Sequence, residues 1–252
     1  MENKNVKTLY IKSNAKLWKN IFKLHNCMVN EEKVCFDKDN ISFRMVDPAH
    51  VCMITQDLSK DNLEEYHLDE PLELGLDIDK LLTIFTGSIK NDDMVQFEYD
   101  IIKNSLNSQF KMFNRKNGLI DPEGMPYPKI PNLDLPAKVS LNINVLIDFC
   151  KQAEKLSDHF RITVDKEGLT LFAEGHTDNI NISIPKTLLT THSSYDTYTS
   201  LFSIDYFGNI IKNLKPLHKM VTLEIGNDNP IRITGDDTLK TMVLLAPRIE
   251  SE

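Results

Sequence analysis

The sequence predicts an α+β chain of four similar quarters, each a short amphipathic helix followed by alternating strands, grouped into two similar halves. Three observations predict it. Corresponding positions near the starts of the helical stripes are 13, 77, 141 and 205, each 64 residues after the last. The strand, acidic turn and strand of Val34-Cys35-Phe36-Asp37-Lys38-Asp39-Asn40-Ile41-Ser42-Phe43 return 128 residues later as Ile162-Thr163-Val164-Asp165-Lys166-Glu167-Gly168-Leu169-Thr170-Leu171. Between the halves 1–117 and 137–252, residues 118–136 hold five of the eleven prolines, which cannot donate inside a sheet and favour extended backbone.

The first helix spans 13–24, with Ser13 as N-cap, Leu17, Ile21 and Leu24 inward, and Lys16, Lys19, Asn20 and Lys23 outward. Trp18 lies on its flank as a packing residue. The second spans 77–85, with Ile78, Leu81, Leu82 and Phe85 inward and Lys80 and Thr83 outward, and is followed by the strand 95–99. The connector 118–136 carries Leu119, Ile120, Met125, Tyr127 and Ile130, apolar groups that a solvated tether would waste, so it is expected to lie on the body; a simple spacer is the alternative. The third helix, 142–156, aligns Val145, Leu146, Phe149, Cys150, Ala153 and Leu156, which makes Cys150 an inert core thiol. The fourth spans 203–214, with Phe207, Ile210, Ile211 and Leu214 inward and Asn209 and Lys212 outward, and the strand 221–225 echoes 95–99.

Composition narrows the function classes. The 252 residues are 41% hydrophobic and 26% charged, ordinary for a folded protein, and the net charge of −8 argues against nucleic acid gripped over the whole surface while leaving room for a local basic face. No apolar stretch approaches a membrane span, and residues 1–5 lack the core of a signal peptide, so an intracellular protein without membrane attachment is expected. Cys27, Cys35, Cys52 and Cys150 have no metal-finger spacing, and His50, with no further ligand nearby, is a turn histidine; no metal and no cofactor are predicted. The nine glycines form neither a dinucleotide fingerprint nor a phosphate loop, and HExxH and GxSxG are absent, so the chain is not expected to be an enzyme.

The segment Ile41-Ser42-Phe43-Arg44-Met45-Val46-Asp47-Pro48-Ala49-His50-Val51 resembles the strand, Asp-centred turn and strand of DNA sliding clamps of the proliferating cell nuclear antigen family. Leu72-Glu73-Leu74-Gly75-Leu76, Leu223-Glu224-Ile225-Gly226-Asn227-Asp228-Asn229-Pro230-Ile231 and Leu245-Ala246-Pro247-Arg248-Ile249-Glu250 extend the resemblance along the whole chain in the family's order, and the short proline-rich connector is more archaeal than animal in character. It implies two clamp domains per chain, an outer sheet with the helices inside, and a closed ring of three subunits, identical or not. The implied function is a processivity factor that encircles double-stranded DNA and tethers replication and repair enzymes; the alternative is a clamp-fold scaffold or hetero-oligomeric subunit that does not routinely encircle DNA. The implied partners are two further clamp subunits, an ATP-dependent loader, and DNA polymerase, flap endonuclease and DNA ligase through short peptide motifs.

Carried onto this sequence, the DNA contacts are Lys16, Lys19, Lys23, Lys80, Lys151, Lys212 and Lys215, and the helical segments 13–24, 77–86, 142–157 and 203–215 sum to +3 in a chain of −8. Thr83, Thr86 and Asp148 stand where family members commonly have basic residues, and His67-Leu68 where they have a basic residue and cysteine. The partner groove is Val46, His50, Val51, Met53, Met125, Tyr127, Pro230, Leu244, Ala246 and Pro247. Subunits are expected to join through a strand 108–113, carrying Phe110 and Met112, paired with a strand 179–184 that carries Ile180, Ile182 and Ile184 of the next subunit.

Overall fold

A computed structural model of the chain describes residues 9–87, 89–235 and 239–249, so residues 1–5 and Glu250, used above, lie outside the described residues. The chain forms two compact units, Met1–Val46 with Thr55–Pro128 and Asp47–Ile54 with Lys129–Glu252. The division falls inside the connector, at 128/129, and the short segment Asp47–Ile54 belongs with the second unit.

The first unit runs β1 (Leu9–Asn14), α1 (Ala15–Asn26), β2 (Glu31–Phe36), β3 (Asn40–Val46), β4 (Cys52–Ser59, whose first three residues fall in the second unit), β5 (Glu65–Leu68), β6 (Leu72–Asp77), α2 (Ile78–Leu82), β7 (Met94–Asp100), β8 (Ser105–Phe110) and β9 (Phe113–Gly118). Its strands hydrogen-bond in the orders β5-β1-β7-β8-β9 and β4-β3-β2-β6. Strict alternation in β1 and β3 turns Leu9, Ile11, Ile41, Phe43 and Met45 inward, onto the buried side of α1. That side includes the predicted Ile21 and Leu24 with Trp18, Phe22 and His25, while Leu17 is only half-buried, and Trp18 packs against Phe22, Phe43 and Phe97 with ring centroids 5.1–6.3 Å apart. The helix cap is Asn14, not Ser13: the Asn14 side chain accepts from the N–H groups of Lys16 and Leu17, while Ser13 is buried and receives the indole N–H of Trp18. The predicted second helix keeps its span but changes pitch, with Thr83–Phe85 forming a 3-10 turn.

The second unit runs β10 (Ala137–Asn142), α3 (Ile143–Ala153), β11 (His159–Val164), β12 (Gly168–Glu174), β13 (Asn179–Pro185), β14 (Thr191–Ser193), β15 (Tyr198–Ser203), α4 (Ile204–Leu214), β16 (Met220–Ile225), β17 (Ile231–Gly235) and β18 (Lys240–Leu245). Its orders are β14-β10-β16-β17-β18 and β13-β12-β11-β15. Five strands and four strands, with two helices, thus recur in each unit. The repeat holds at residue level: Val34 pairs Phe43 and Phe36 pairs Ile41, as Ile162 pairs Leu171 and Val164 pairs Leu169 at the predicted offset of 128. Asp37 accepts from the N–H groups of Asp39 and Asn40 in the first hairpin, and Asp165 from those of Glu167 and Gly168 in the second. One difference separates them. Gly168 has φ +152°, and a Cβ there would lie 2.1 Å from the Ile184 carbonyl oxygen of β13.

The first half of the connector lies on its unit, as predicted. Ile120 donates its N–H to the Gly75 carbonyl at 2.9 Å, and the guanidinium of Arg44 sits 5.0 Å from the centre of the Tyr127 ring. Gly75 makes the approach possible, because a Cβ there would stand 2.5 Å from the Ile120 oxygen and 2.9 Å from the Met125 sulfur. Ile130, 44% exposed, does not share this docking. Gly75→Ala is expected to cost about 1–3 kcal/mol by overpacking and to open residues 119–128 to protease. Cleavage at the wild-type rate would mean that the connector is held elsewhere.

Candidate functional site

The polar face of α1 is the most basic surface among the four helices. Lys16 and Lys23 are exposed and Lys19 half-buried, all within two turns, and the helix carries no acidic residue. Among the described residues Lys19 and Lys23 form no ion pair; burial, then the charge of Lys23, lowers the pKa of Lys19. Lys16 donates to the Asn91 side chain at 3.2 Å. The other helices differ. Lys80 is held by Asp77, the N-cap of its helix, at 2.6 Å and Lys151 faces Asp148 of its own helix at 3.8 Å. On α4 and its end, Lys212 and Lys215 are exposed and unpaired among the described residues.

The subunit-joining segments need one correction. Residues 108–113 are not one strand: β8 ends at Phe110, Lys111 turns with φ 53°, and β9 begins at Phe113. Phe110 is 3% exposed and belongs to the core, against Phe85, while Met112 sits in the turn. Alternation of Phe110 with Met112 mimicked a continuing strand because a lysine, not Gly or Asn, takes the left-handed position. One edge of the five-stranded sheet is β9, exposed except for Asn117; its first residue, Phe113, is 67% exposed and the neighbouring Met112 88%. In the second unit β13 is an edge strand as predicted, with Ile180, Ile182 and Ile184 half-buried on one side and polar residues on the other.

The residues predicted to line the partner groove divide between the units. Val46, Met125 and Tyr127 lie in the first, all half-buried, and burial followed by the Cys35 thiol pushes the Tyr127 pKa up to about 12. His50, Val51, Met53, Pro230, Leu244, Ala246 and Pro247 lie in the second. There the structure brings the turn 47–52 to the end of the chain: Ala246 donates its N–H to the Val51 carbonyl at 2.8 Å. Val51, Met53, Pro230, Ala246 and Pro247 remain half-buried, Leu244 is buried, and His50 is exposed with φ 56°. Arg248 extends the anchorage, donating its backbone N–H to Leu201 at 2.7 Å and its guanidinium to Asp158 at 2.9 Å.

Asp47 organises this turn. It is 3% exposed, and its carboxylate accepts from the N–H groups of Ala49 (3.2 Å), Val51 (2.7 Å) and Cys52 (2.6 Å) and from the hydroxyl of Tyr206 on α4 (2.9 Å). Burial raises its pKa, but the Cys52, Tyr206, Val51 and Ala49 donors together outweigh that and hold it below the usual carboxylate range. Tyr206 did not stand out in the sequence. Nothing local to it signals a partner 159 positions away. Cys150 is buried, and desolvation, then Glu154, pushes its thiol up to about 12, which leaves it protonated and unreactive at neutral pH.

Residues 11–120 match the family model "Proliferating cell nuclear antigen, N-terminal domain" and residues 129–247 match "Proliferating cell nuclear antigen, C-terminal domain". The chain is 33% identical to a DNA polymerase sliding clamp of Methanocella arvoryzae, covering 95% of this chain and 98% of that one. It is 34% identical to one of Methanococcoides burtonii, covering 94% and 97%. A solved structure of the C-terminal region of FEN-1 bound to A. fulgidus PCNA superposes with TM-score 0.89 at 30% identity, covering 97% of this chain and 100% of that one. The Entamoeba histolytica protein of the same fold gives 0.88 at 18% identity.

Proposed function

Because the chain belongs to the proliferating cell nuclear antigen family of DNA polymerase sliding clamps, we propose that three copies close into a ring around duplex DNA and hold replication and repair enzymes on it. The domains are then those on either side of the connector 118–136. The observation that carries the DNA reading is α1, three lysines with no acid on the same face in a chain of net charge −8. Phosphate contacts carry no sequence information, so a ring that touches only phosphates can slide. Lys212 and Lys215 add to this face; Lys80 and Lys151, neutralised by Asp77 and Asp148, contribute less. Subunits join edge to edge, β9 of one against β13 of the next, which covers these two edges.

Partner tails bearing a glutamine and aliphatic and aromatic anchors dock on the turn 47–53 and the segment 246–247. The similarity to a clamp solved with the C-terminal region of FEN-1 supports this site. The chain catalyses nothing itself in this reading, acts inside the cell on DNA, and is opened by a separate ATP-dependent loader.

Replacing Lys16, Lys19 and Lys23 together by Ala is expected to leave the three-chain mass unchanged while lowering loading and retention on DNA. The salt dependence should flatten by roughly one unit of slope for each phosphate that is no longer neutralised. The same assay tests the ring. Wild-type protein should be retained on closed circular DNA and lost when that DNA is linearised; equal retention on both would favour the scaffold alternative, which the acid-paired lysines of α2 and α3 also suit.

A further inference from the structure

The first turn of α4 is joined to the turn 47–52 by one hydrogen bond, and we propose that Tyr206 is a positioning residue that sets the form of the partner-docking turn without touching the partner. This rests on the docking site proposed above.

The turn has two backbone hydrogen bonds of its own, from the His50 N–H to the Asp47 carbonyl at 2.9 Å and from the Asp47 N–H to the Cys52 carbonyl at 3.0 Å. His50 occupies a left-handed conformation that L-residues with a Cβ rarely adopt, and residues 48–50 are exposed, so side-chain packing contributes little there. The Asp47 carboxylate adds three more bonds within the loop and links the loop to α4. Three of its donors, Ala49, Val51 and Cys52, lie within five residues of Asp47 and would move with it as one loop. Tyr206 is the one donor from outside the loop among the described residues, and it comes from a helix anchored by Phe207, Ile210, Ile211 and Leu214.

The difference matters because the terminal torsion of an aspartate is broad. With Oδ1 accepting from Val51 and Cys52, Oδ2 is oriented by Ala49 at a long 3.2 Å and by Tyr206 at 2.9 Å. Removing the hydroxyl therefore frees the carboxylate to rotate, and with it the peptide planes of residues 49–52. That freedom reaches the chain's end, since the Val51 carbonyl receives the Ala246 N–H. The pocket loses its preformed shape, and a bound peptide must then supply the ordering that Tyr206 provides in advance.

Tyr206→Phe keeps the ring and removes only the donor. A synthetic peptide with glutamine, aliphatic and aromatic anchors, titrated by calorimetry, is expected to bind about tenfold more weakly. Amide hydrogen exchange should accelerate at Ala49, Val51 and Cys52 and stay at wild-type rates in β10 and β16. Asp47→Ala should weaken binding too, and adding Tyr206→Phe to it should change nothing further, because the acceptor of the hydroxyl is already gone. Wild-type affinity and exchange in Tyr206→Phe, with Met53→Glu abolishing binding, would overturn the positioning role. Faster exchange throughout the unit would overturn it as well, by showing general destabilisation. Undiminished binding in Met53→Glu would instead remove the docking site on which the proposal stands.

Discussion

Phe113→Asp is expected to reduce a three-chain ring to single chains of 28.9 kDa at micromolar concentration. Phe113 opens the edge strand β9 and is 67% exposed in the isolated chain, so the fold of its own unit does not need it. A Phe buried on assembly removes on the order of 100–200 Å² from water, which at about 25 cal/mol per Å² is roughly 3–5 kcal/mol per junction. A carboxylate in its place loses that and adds the cost of burying an unpaired charge. Since each 1.4 kcal/mol is about tenfold in a dissociation constant, a loss of this size at every junction empties the ring. Light scattering gives the mass, and thermal unfolding near the wild-type midpoint confirms that the monomer is folded. A three-chain mass in Phe113→Asp would place the junction away from β9.

Ala246→Trp is expected to abolish binding of a partner-tail peptide, a loss of about 100-fold or more, with the ring intact. Ala246 is half-buried, and its N–H is already committed to Val51, so the backbone stays and the added indole fills the space an anchor side chain would take. Anchors that enter a pocket carry most of such affinity, so blocking the pocket outweighs changes at its rim. Met53→Glu reaches the same end by placing a charge where an apolar anchor should go. Calorimetric titration of one peptide against both variants and wild type decides the matter, and three equal affinities would move the docking site elsewhere.

Most of this architecture was legible because the repeat is written in local terms. Alternation in β2, β3, β11 and β12 and the acidic turns at Asp37 and Asp165 need only neighbours within ten residues, and the offset of 128 follows from matching them. The connector showed itself by its prolines, and its docking by apolar residues with no other use. Where the sequence misled, the deciding contact was distant or the residue atypical. Ser13 has a capping residue's chemistry, but its hydroxyl is taken by Trp18, which leaves the cap to Asn14. Lys111 in a left-handed turn split an apparent strand in two and sent Phe110 into the core. The importance of Tyr206 depends on a carboxylate in another quarter, and Phe113 became notable only once β9 proved to be an edge.

The duplicated hairpins are interchangeable in one direction only. Glycine can stand wherever Asn40 does, so the 165–168 turn could replace the 37–40 turn at a modest cost in chain entropy. The reverse graft would put an Asn side chain where the Ile184 carbonyl of β13 closes over Gly168. Among related chains, residue 168 is therefore expected to stay glycine while position 40 varies more freely.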